Sequence, residues 1–300
     1  MSRIGILLHS EPQREACRRA GMTVDRVDHW GGAAAYEAYV GRWSRAVAAR
    51  FLDWLEVSAD QAWVDLGCGT GVLTAAILDR CEPRSVIGVD PSEPFLAHAR
   101  ETVNDPRAEF RVGTAAHTGL KGAQADVVVG GLVLNFVPDV AAALSEARRV
   151  VVPGGVVAGY VWDYAEGMQF IRAFWDAAIA LDPAARELDQ ANRFPIAAPE
   201  PLSDAFIAAG FESVDVRGIE IPTVFADFDD LWLPFLGGTG SAPTYLGSLE
   251  PGAREAVRER LRAYVPIELD GSIHLSARAW AYRGDVPDED GAPPPPGSSF

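Results

Sequence analysis

The stretch VDLGCGTGVLT, residues 64–74, decides the fold. It joins a short apolar run to three closely spaced glycines, and an amphipathic segment follows. In open α/β sheets a loop of this kind connects the C-terminal end of a strand to the start of a helix and binds a ligand there. Glycine lets the backbone approach that ligand, and free N–H groups of the first helical turn point toward it. The stretch therefore predicts a strand, a ligand-binding loop and a helix.

Apolar runs alternate with amphipathic segments on both sides of this loop. The predicted strands are Gln61–Leu66, Ser85–Asp90, Ala108–Val112, Ala125–Gly130 and Val156–Trp162. The predicted helices between and before them are Ala34–Trp54, Val72–Arg80, Glu93–Val103 and Val140–Val151, the last ending at Pro153-Gly154-Gly155. Strands that are apolar throughout and separated by helices indicate a parallel, doubly wound sheet covered on both faces.

The regular alternation of apolar strand patterns and helical patterns changes after residue 163. Helical patterns cover Gly167–Leu181, Glu200–Gly210 and Glu250–Tyr264, and strand patterns cover Phe211–Phe225 and Ser272–Arg283. We expect one domain over residues 26–284, with cap insertions at about 165–198 and 226–270. Residues 1–25 are predicted to be a flexible arm, in which Met22 is an alternative start, and the acidic, Pro-rich residues 285–300 a disordered tail.

Charge and cysteine content exclude several classes of protein. The chain has 300 residues, 42 of them acidic and 26 basic, and a formal net charge of −16. Such a surface repels nucleic acid, which binds basic faces. Three cysteines without metal-like spacing favour a reducing cytoplasm over a disulfide framework. Val127–Val137, the longest apolar stretch, is too short for a membrane span. We therefore expect a cytoplasmic protein with no metal site, no nucleic-acid partner and no membrane insertion.

The glycine spacing narrows the class of ligand. Gly67, Gly69 and Gly71 are followed by Val72, where a dinucleotide-binding loop has its third glycine, and no Gly-Lys-Ser/Thr follows as in a P-loop. Asp90, at the end of the second strand, is placed to bind ribose hydroxyls in either a dehydrogenase or an adenosylmethionine enzyme. Asp65 would repel a pyrophosphate but suits a ligand with an ammonium and a sulfonium group, as in S-adenosylmethionine. A nicotinamide dehydrogenase is the disfavoured alternative.

Five segments in order resemble the class I S-adenosylmethionine-dependent methyltransferases over roughly residues 35–165. VDLGCGTG (64–71) resembles motif I, GVDPSEPFLAHAR (88–100) motif II, RVGTAAHT (111–118) the adenine-binding loop, ADVVVGGLVLNFVPD (125–139) motif III, and LSEARRVVVPGGVV (144–157) the next helix and strand. The later stretches resemble the bacterial small-molecule branch of that family. The resemblance implies a Rossmann-like doubly wound seven-stranded sheet, mostly parallel with an antiparallel last strand, plus helical caps.

The same resemblance implies a set of cofactor-binding residues. The methionine moiety would contact Asp65, Gly67, Cys68 and Gly69, with Tyr39 and Arg42 closing over its carboxylate. The ribose would bind Asp90, and the adenine would lie against Pro91, Ser92, Thr114 and Ala115. Leu132 and Asn135 would line the wall near the sulfur. Thr114 stands where the family usually has Asp, which weakens the contact to the adenine amino group.

Methyl transfer is an in-line displacement that needs alignment and exclusion of water, and a base only where the nucleophile is hard to deprotonate. Tyr164, His117 and His274 are weak candidates for such a base, since a solvated loop or a structural role also explains both histidines. Candidate acceptor contacts are Trp162, Tyr164, Phe170, Phe174 and Trp232, although a stripe such as Phe170 and Phe174 is also typical of a packed core.

The sequence therefore predicts a methyltransferase (EC 2.1.1) that acts on a small, partly aromatic or apolar molecule and releases S-adenosylhomocysteine. The alternative is a protein of the same fold that binds S-adenosylmethionine but catalyses other chemistry, such as a cyclisation, or only senses the ligand. A homodimer is compatible with either prediction.

Overall fold

The computed structural model describes residues 41–237 and 240–288, and the predicted N-terminal arm, Met22 and Tyr39 lie outside them. The strands are β1 (Ala62–Leu66), β2 (Ser85–Asp90), β3 (Ala108–Val112), β4 (Ala125–Gly131), β5 (Val151–Trp162), β6 (Glu212–Phe225) and β7 (Ile273–Asp285). The α-helices are α1 (Arg42–Leu55), α2 (Val72–Arg80), α3 (Glu93–Thr102), α4 (Val140–Val150), α5 (Gln169–Leu181), α6 (Gln190–Arg193), α7 (Pro199–Ala208), α8 (Phe228–Trp232), α9 (Ser241–Ser248) and α10 (Pro251–Tyr264). Short 3-10 helices cover Leu134–Phe136, Pro183–Leu188 and Leu233–Leu236.

The seven strands form one sheet in the order β3-β2-β1-β4-β5-β7-β6. Strands β1 to β5 pair in parallel, and β7 runs antiparallel to both β5 and β6. All five residues of β1 are buried, because helices cover both faces of the sheet at its centre. The predicted fold class is confirmed. The strand order reverses between β1 and β4, and this switch point is where open α/β sheets bind ligands.

Two predicted boundaries around Pro153-Gly154-Gly155 are wrong. Helix α4 ends at Val150 and β5 begins at the next residue, so these three residues belong to the strand. The pairing of β4 with β5 shifts register there, which accommodates the irregular backbone. Gly154 donates to the Val286 carbonyl at 3.0 Å and Val286 donates to the Gly155 carbonyl at 2.9 Å. Asp285 and Val286, the first residues of the predicted tail, therefore pair with the sheet, while 289–300 lie outside the described residues.

An aromatic cluster packs the helices of the two predicted insertions against the sheet. Phe170 and Phe174 of α5 are at most 1% exposed, and the Phe174 ring stacks on Phe235 with centroids 4.5 Å apart. Trp232 is 5% exposed and its ring lies 6.3 Å from that of Phe235. These three predicted acceptor contacts are therefore core residues, because the apolar face of α5 packs on the 226–270 segment. Within the described ranges, the helices all fall short of the length and apolar content that a bilayer span requires.

Candidate functional site

The glycine loop follows β1 at the switch point and is held against the end of β2. The N–H groups of Gly67 and Cys68 donate to the Val89 carbonyl at 2.7 and 3.1 Å. Gly67 has φ +66°, and a Cβ there would lie 2.3 Å from Cγ2 of Val133. Only glycine allows both this backbone conformation and this close approach. The loop therefore packs directly against the segment after β4, and α2 begins at Val72, directly after the third glycine.

Asp90 joins the loop after β1 to the loop after β2. Its Oδ2 accepts the Gly69 N–H at 3.0 Å and its Oδ1 accepts the Ser92 N–H at 2.8 Å. Burial raises the pKa of Asp90 above its usual value, against the opposing effect of these two hydrogen bonds. Each carboxylate oxygen has two lone pairs, so both can accept a further hydrogen bond from a ligand.

Asp65 ends β1 fully buried beneath the loop. Thr74 donates its hydroxyl hydrogen to Asp65 Oδ2 at 2.7 Å, and Oδ1 has no partner among the described residues. Burial raises the pKa of Asp65 to about 7, and the nearby Asp90 charge adds to this while the Thr74 bond opposes it. An unpaired buried acceptor is costly, so a ligand cation or N–H donor placed there would be bound favourably.

A cavity of about 630 Å³ opens beside these groups. The predicted site residues that line it are Asp65, Gly67, Cys68, Gly69, Asp90, Pro91, Ser92, Thr114, Ala115, Leu132, Trp162 and Tyr164. Further lining residues are mainly apolar and include Leu73, Phe95, Val133, Phe136, Val137 and Tyr160. The volume and the apolar wall with a few polar groups are typical of a small-molecule site. Leu132 has φ +60°, an unusual backbone conformation for a leucine, and donates its N–H to the Tyr160 carbonyl at 2.7 Å.

The turn after β5 fixes Trp162 and Tyr164 on the cavity wall. Asp163 between them is 2% exposed and forms an ion pair with Arg278 of β7 at 2.6 Å. Its other oxygen accepts the N–H groups of Ala165 and Glu166 at 3.2 and 3.1 Å. The indole Nε1 of Trp162 is buried without a partner among the described residues, so it is available to donate to a ligand oxygen.

Several other predicted site residues are not on the cavity wall. His117 is exposed in the turn after β3, where its N–H donates to the Thr114 carbonyl at 3.0 Å, and His274 is exposed on β7 beside Ser272. Asn135 is 8% exposed on the 3-10 helix after β4, outside the cavity lining. Arg42 forms an ion pair with Asp230 at 2.7 Å rather than lining the cavity. Neither predicted insertion contributes a lining residue in the described part of the chain.

Sequence reasoning missed Ser44. This residue of α1 is 4% exposed and lines the cavity, and its hydroxyl has no partner among the described residues. A signal was present, because Ser44 shares a helix face with Val47, Ala48 and Phe51 at spacings of three, four and seven residues. A single hydroxyl on an otherwise apolar face indicates either a buried partner or a ligand.

The comparisons with known proteins agree with this geometry. Residues 64–159 match the family model described as methyltransferase domain. The chain is 35% identical over 164 residues to trans-aconitate 2-methyltransferase of Methylobacterium radiotolerans, which covers 51% of this chain and 62% of that protein. The chain spans less than two thirds of the length of the curated relatives it first matches.

Two solved structures share the fold at low sequence identity. A putative methyltransferase from Bacillus halodurans has a TM-score of 0.54 at 15% identity, covering 81% of this chain and 99% of that one. Haemonchus contortus phosphoethanolamine N-methyltransferase 2, solved in complex with S-adenosyl-L-methionine, has a TM-score of 0.53 at 18% identity, covering 85% of this chain and 56% of that one. The resemblance to the class I S-adenosylmethionine-dependent methyltransferases is thus confirmed for residues 64–159, the part of the chain that matches the methyltransferase domain.

Proposed function

We propose that this protein transfers a methyl group from S-adenosylmethionine to a small, partly aromatic or apolar acceptor. The observation that carries the proposal is the pair of carboxylates at the ends of β1 and β2, which line one cavity at the switch point of the sheet. Asp65 Oδ1 is buried and unpartnered within the described chain, as expected for a carboxylate whose partner is a ligand ammonium.

The residues at the donor end of the cavity fit the parts of the cofactor. Asp65 and the backbone of Gly67–Gly69 would bind the methionine moiety, and Asp90 would accept from the ribose hydroxyls. Pro91, Ser92, Thr114 and Ala115 would border the adenine. Thr114 Oγ1 already accepts the His117 N–H at 3.0 Å, so only its second lone pair is available to the adenine amino group. Bound S-adenosylmethionine supplies a methyl group already activated by the positive sulfur.

The acceptor end of the cavity works by positioning. Phe136, Tyr160, Trp162 and Tyr164 would hold the acceptor in line and exclude water. The described lining residues include no His, Lys or Arg, but they include the carboxylate of Asp139. We infer that the acceptor atom enters as a competent nucleophile or passes its proton to water or to this carboxylate. A small-molecule acceptor is also supported by the trans-aconitate 2-methyltransferase relative.

Calorimetry and a turnover assay test the two parts of the proposal. Isothermal titration should show binding of S-adenosylmethionine and S-adenosylhomocysteine, and no binding of either would overturn the proposal. Transfer of labelled methyl to a panel of phenols, enols, amines and thiols should then identify the acceptor class. Binding without transfer to any of them would favour the alternative, a ligand-binding protein or an enzyme with non-methylating chemistry.

A further inference from the structure

Arg42 joins the first turn of α1 to the segment after β6. Its Nη1 and Nη2 donate to Oδ1 and Oδ2 of Asp230 at 2.7 and 3.1 Å, and Nη2 also donates to the Val224 carbonyl at 3.2 Å. The guanidinium carbon lies 4.4 Å from the ring centroid of Trp43 and 4.8 Å from that of Phe225. A two-point ion pair that packs against two aromatic rings has a single defined geometry, unlike most surface pairs.

The position of Asp230, which accepts these hydrogen bonds, is fixed independently of α1. Asp230 Oδ2 accepts the Ala226 N–H at 3.0 Å, and the Asp230 N–H donates to the side chain of Asp227, which caps α8. The Arg42 guanidinium holds the pKa of Asp230 below its usual value, so the carboxylate stays charged at neutral pH. The start of α8 is thus a fixed point to which Arg42 attaches.

The first turn of α1 also carries Ser44, the contribution of this helix to the cavity wall. The remainder of α1 is anchored separately, because Val47, Phe51 and Leu55 are buried in the main core. The Trp43 ring meets Phe225 edge to face at 5.5 Å, on the same side as the ion pair. Contacts at β6 and α8 therefore determine where the Ser44 hydroxyl lies, while core packing holds the rest of the helix.

We propose that Arg42 is a positioning residue, whose ion pair with Asp230 holds the Ser44 hydroxyl against the bound cofactor and so slows its release. The inference rests on the proposed function, because it requires an S-adenosylmethionine site in this cavity. Through this ion pair the 226–270 segment would affect cofactor binding, even though none of its described residues lines the cavity.

The test is the dissociation rate of S-adenosylhomocysteine, measured by stopped-flow displacement with the full chain. Asp230→Asn, which keeps the shape but removes the charge, should speed dissociation about fivefold, at the upper end of what one exposed ion pair contributes. Arg42→Met should do the same, and the double variant should be no faster than either single variant. Asp229→Asn is the matched control, because Asp229 is the neighbouring carboxylate on α8 and pairs with Arg258 at 3.1 Å.

The same Asp230→Asn substitution in a Ser44→Ala variant separates a positioning role of the ion pair from general destabilisation of the fold. Ser44→Ala alone should speed dissociation to a similar extent, and adding Asp230→Asn to it should change the rate by less than about twofold. The inference would be overturned if Asp230→Asn speeds dissociation fivefold in both the wild-type protein and the Ser44→Ala variant, or if it leaves the dissociation rate of the wild-type protein unchanged. Either result would leave the proposed function standing as long as the wild-type protein binds S-adenosylhomocysteine. If the wild-type protein does not bind S-adenosylhomocysteine, the proposed function itself is wrong, and the inference falls with it.

Discussion

Replacing Asp65 by Asn should change how the stability of the ligand-free protein depends on pH. Burial raises the pKa of Asp65 from 3.8 to about 7 in the folded state. Between these values the unfolded chain has released the proton and the folded protein still binds it. The free energy of unfolding therefore falls as pH rises through this window and levels off above pH 7.

The size of the effect follows from the shift. Each pKa unit corresponds to about 1.4 kcal/mol, so ionised Asp65 lowers the stability of the folded state by about 4 kcal/mol above pH 7. Between pH 5 and pH 8 the wild-type protein should lose about 3 kcal/mol that the variant keeps. The Asn side-chain NH2 group would replace Oδ1 and would find no partner among the described residues, which costs about 1–3 kcal/mol at every pH. Asp65→Asn should thus be more stable than the wild type at pH 8 and equal or less stable at pH 5.

Urea unfolding of both proteins at pH 5, 6, 7 and 8 measures this difference directly. Asp229→Asn, which removes an exposed carboxylate, should follow the wild-type curve to within about 0.5 kcal/mol. A difference between Asp65→Asn and the wild type that is the same at pH 5 and pH 8 would refute the assigned pKa shift.

Four further predictions separate ligand binding from folding. Asp90→Ala should weaken the binding of S-adenosylhomocysteine, measured by calorimetry, at least about tenfold, because two hydrogen bonds from the ribose to a charged acceptor are lost. An unchanged affinity would contradict the role of Asp90 in binding the ribose. Gly67→Ala should lower the free energy of unfolding by about 2 kcal/mol or more, because the new Cβ meets Val133 and φ is positive, and adding Val133→Ala should recover part of the loss seen in urea. Phe174→Ala should destabilise the fold by about 3–5 kcal/mol, while the affinity of the folded protein for its ligand stays unchanged. Trp162→Phe should raise the KM for the methyl acceptor and leave the affinity for S-adenosylhomocysteine unchanged.

The sheet and the donor end of the cavity could be predicted because their residues are close in sequence and obey strict rules. β3 runs from Ala108 to Val112 as predicted, because its sequence AEFRV alternates apolar and charged residues, the period-two pattern of a strand, with Phe110 buried. The glycine spacing and Asp90 are likewise local signals, and Gly67, Gly69 and Asp90 line the cavity.

The acceptor end could not be predicted to the same extent, because apolar periodicity does not distinguish a core from a pocket wall. Phe174 and Trp162 have the same chemical character, yet one stacks inside the 226–270 packing and the other faces the cavity. The Arg42–Asp230 pair joins residues that are 188 apart in sequence, and no local pattern predicts such a contact. The strand boundary at Pro153-Gly154-Gly155 is predicted wrongly because the same residue types occur in bulged strands and at the ends of helices.

The division of the cavity between segments has a consequence for altering the ligands that this protein binds. On the proposed function, the loops after β1, β2 and β3, between residues 65 and 116, form the donor end of the cavity, and Phe136–Pro138 and the turn from Tyr160 to Tyr164 form the acceptor end. The latter turn is braced by the Asp163–Arg278 pair, outside the loops that would bind the cofactor. On the proposed function, substrate scope can be diversified at Trp162, Tyr164 and residues 136–138 while Asp163 and the loops after β1, β2 and β3 are kept. Libraries confined to these positions should retain S-adenosylhomocysteine binding in most members.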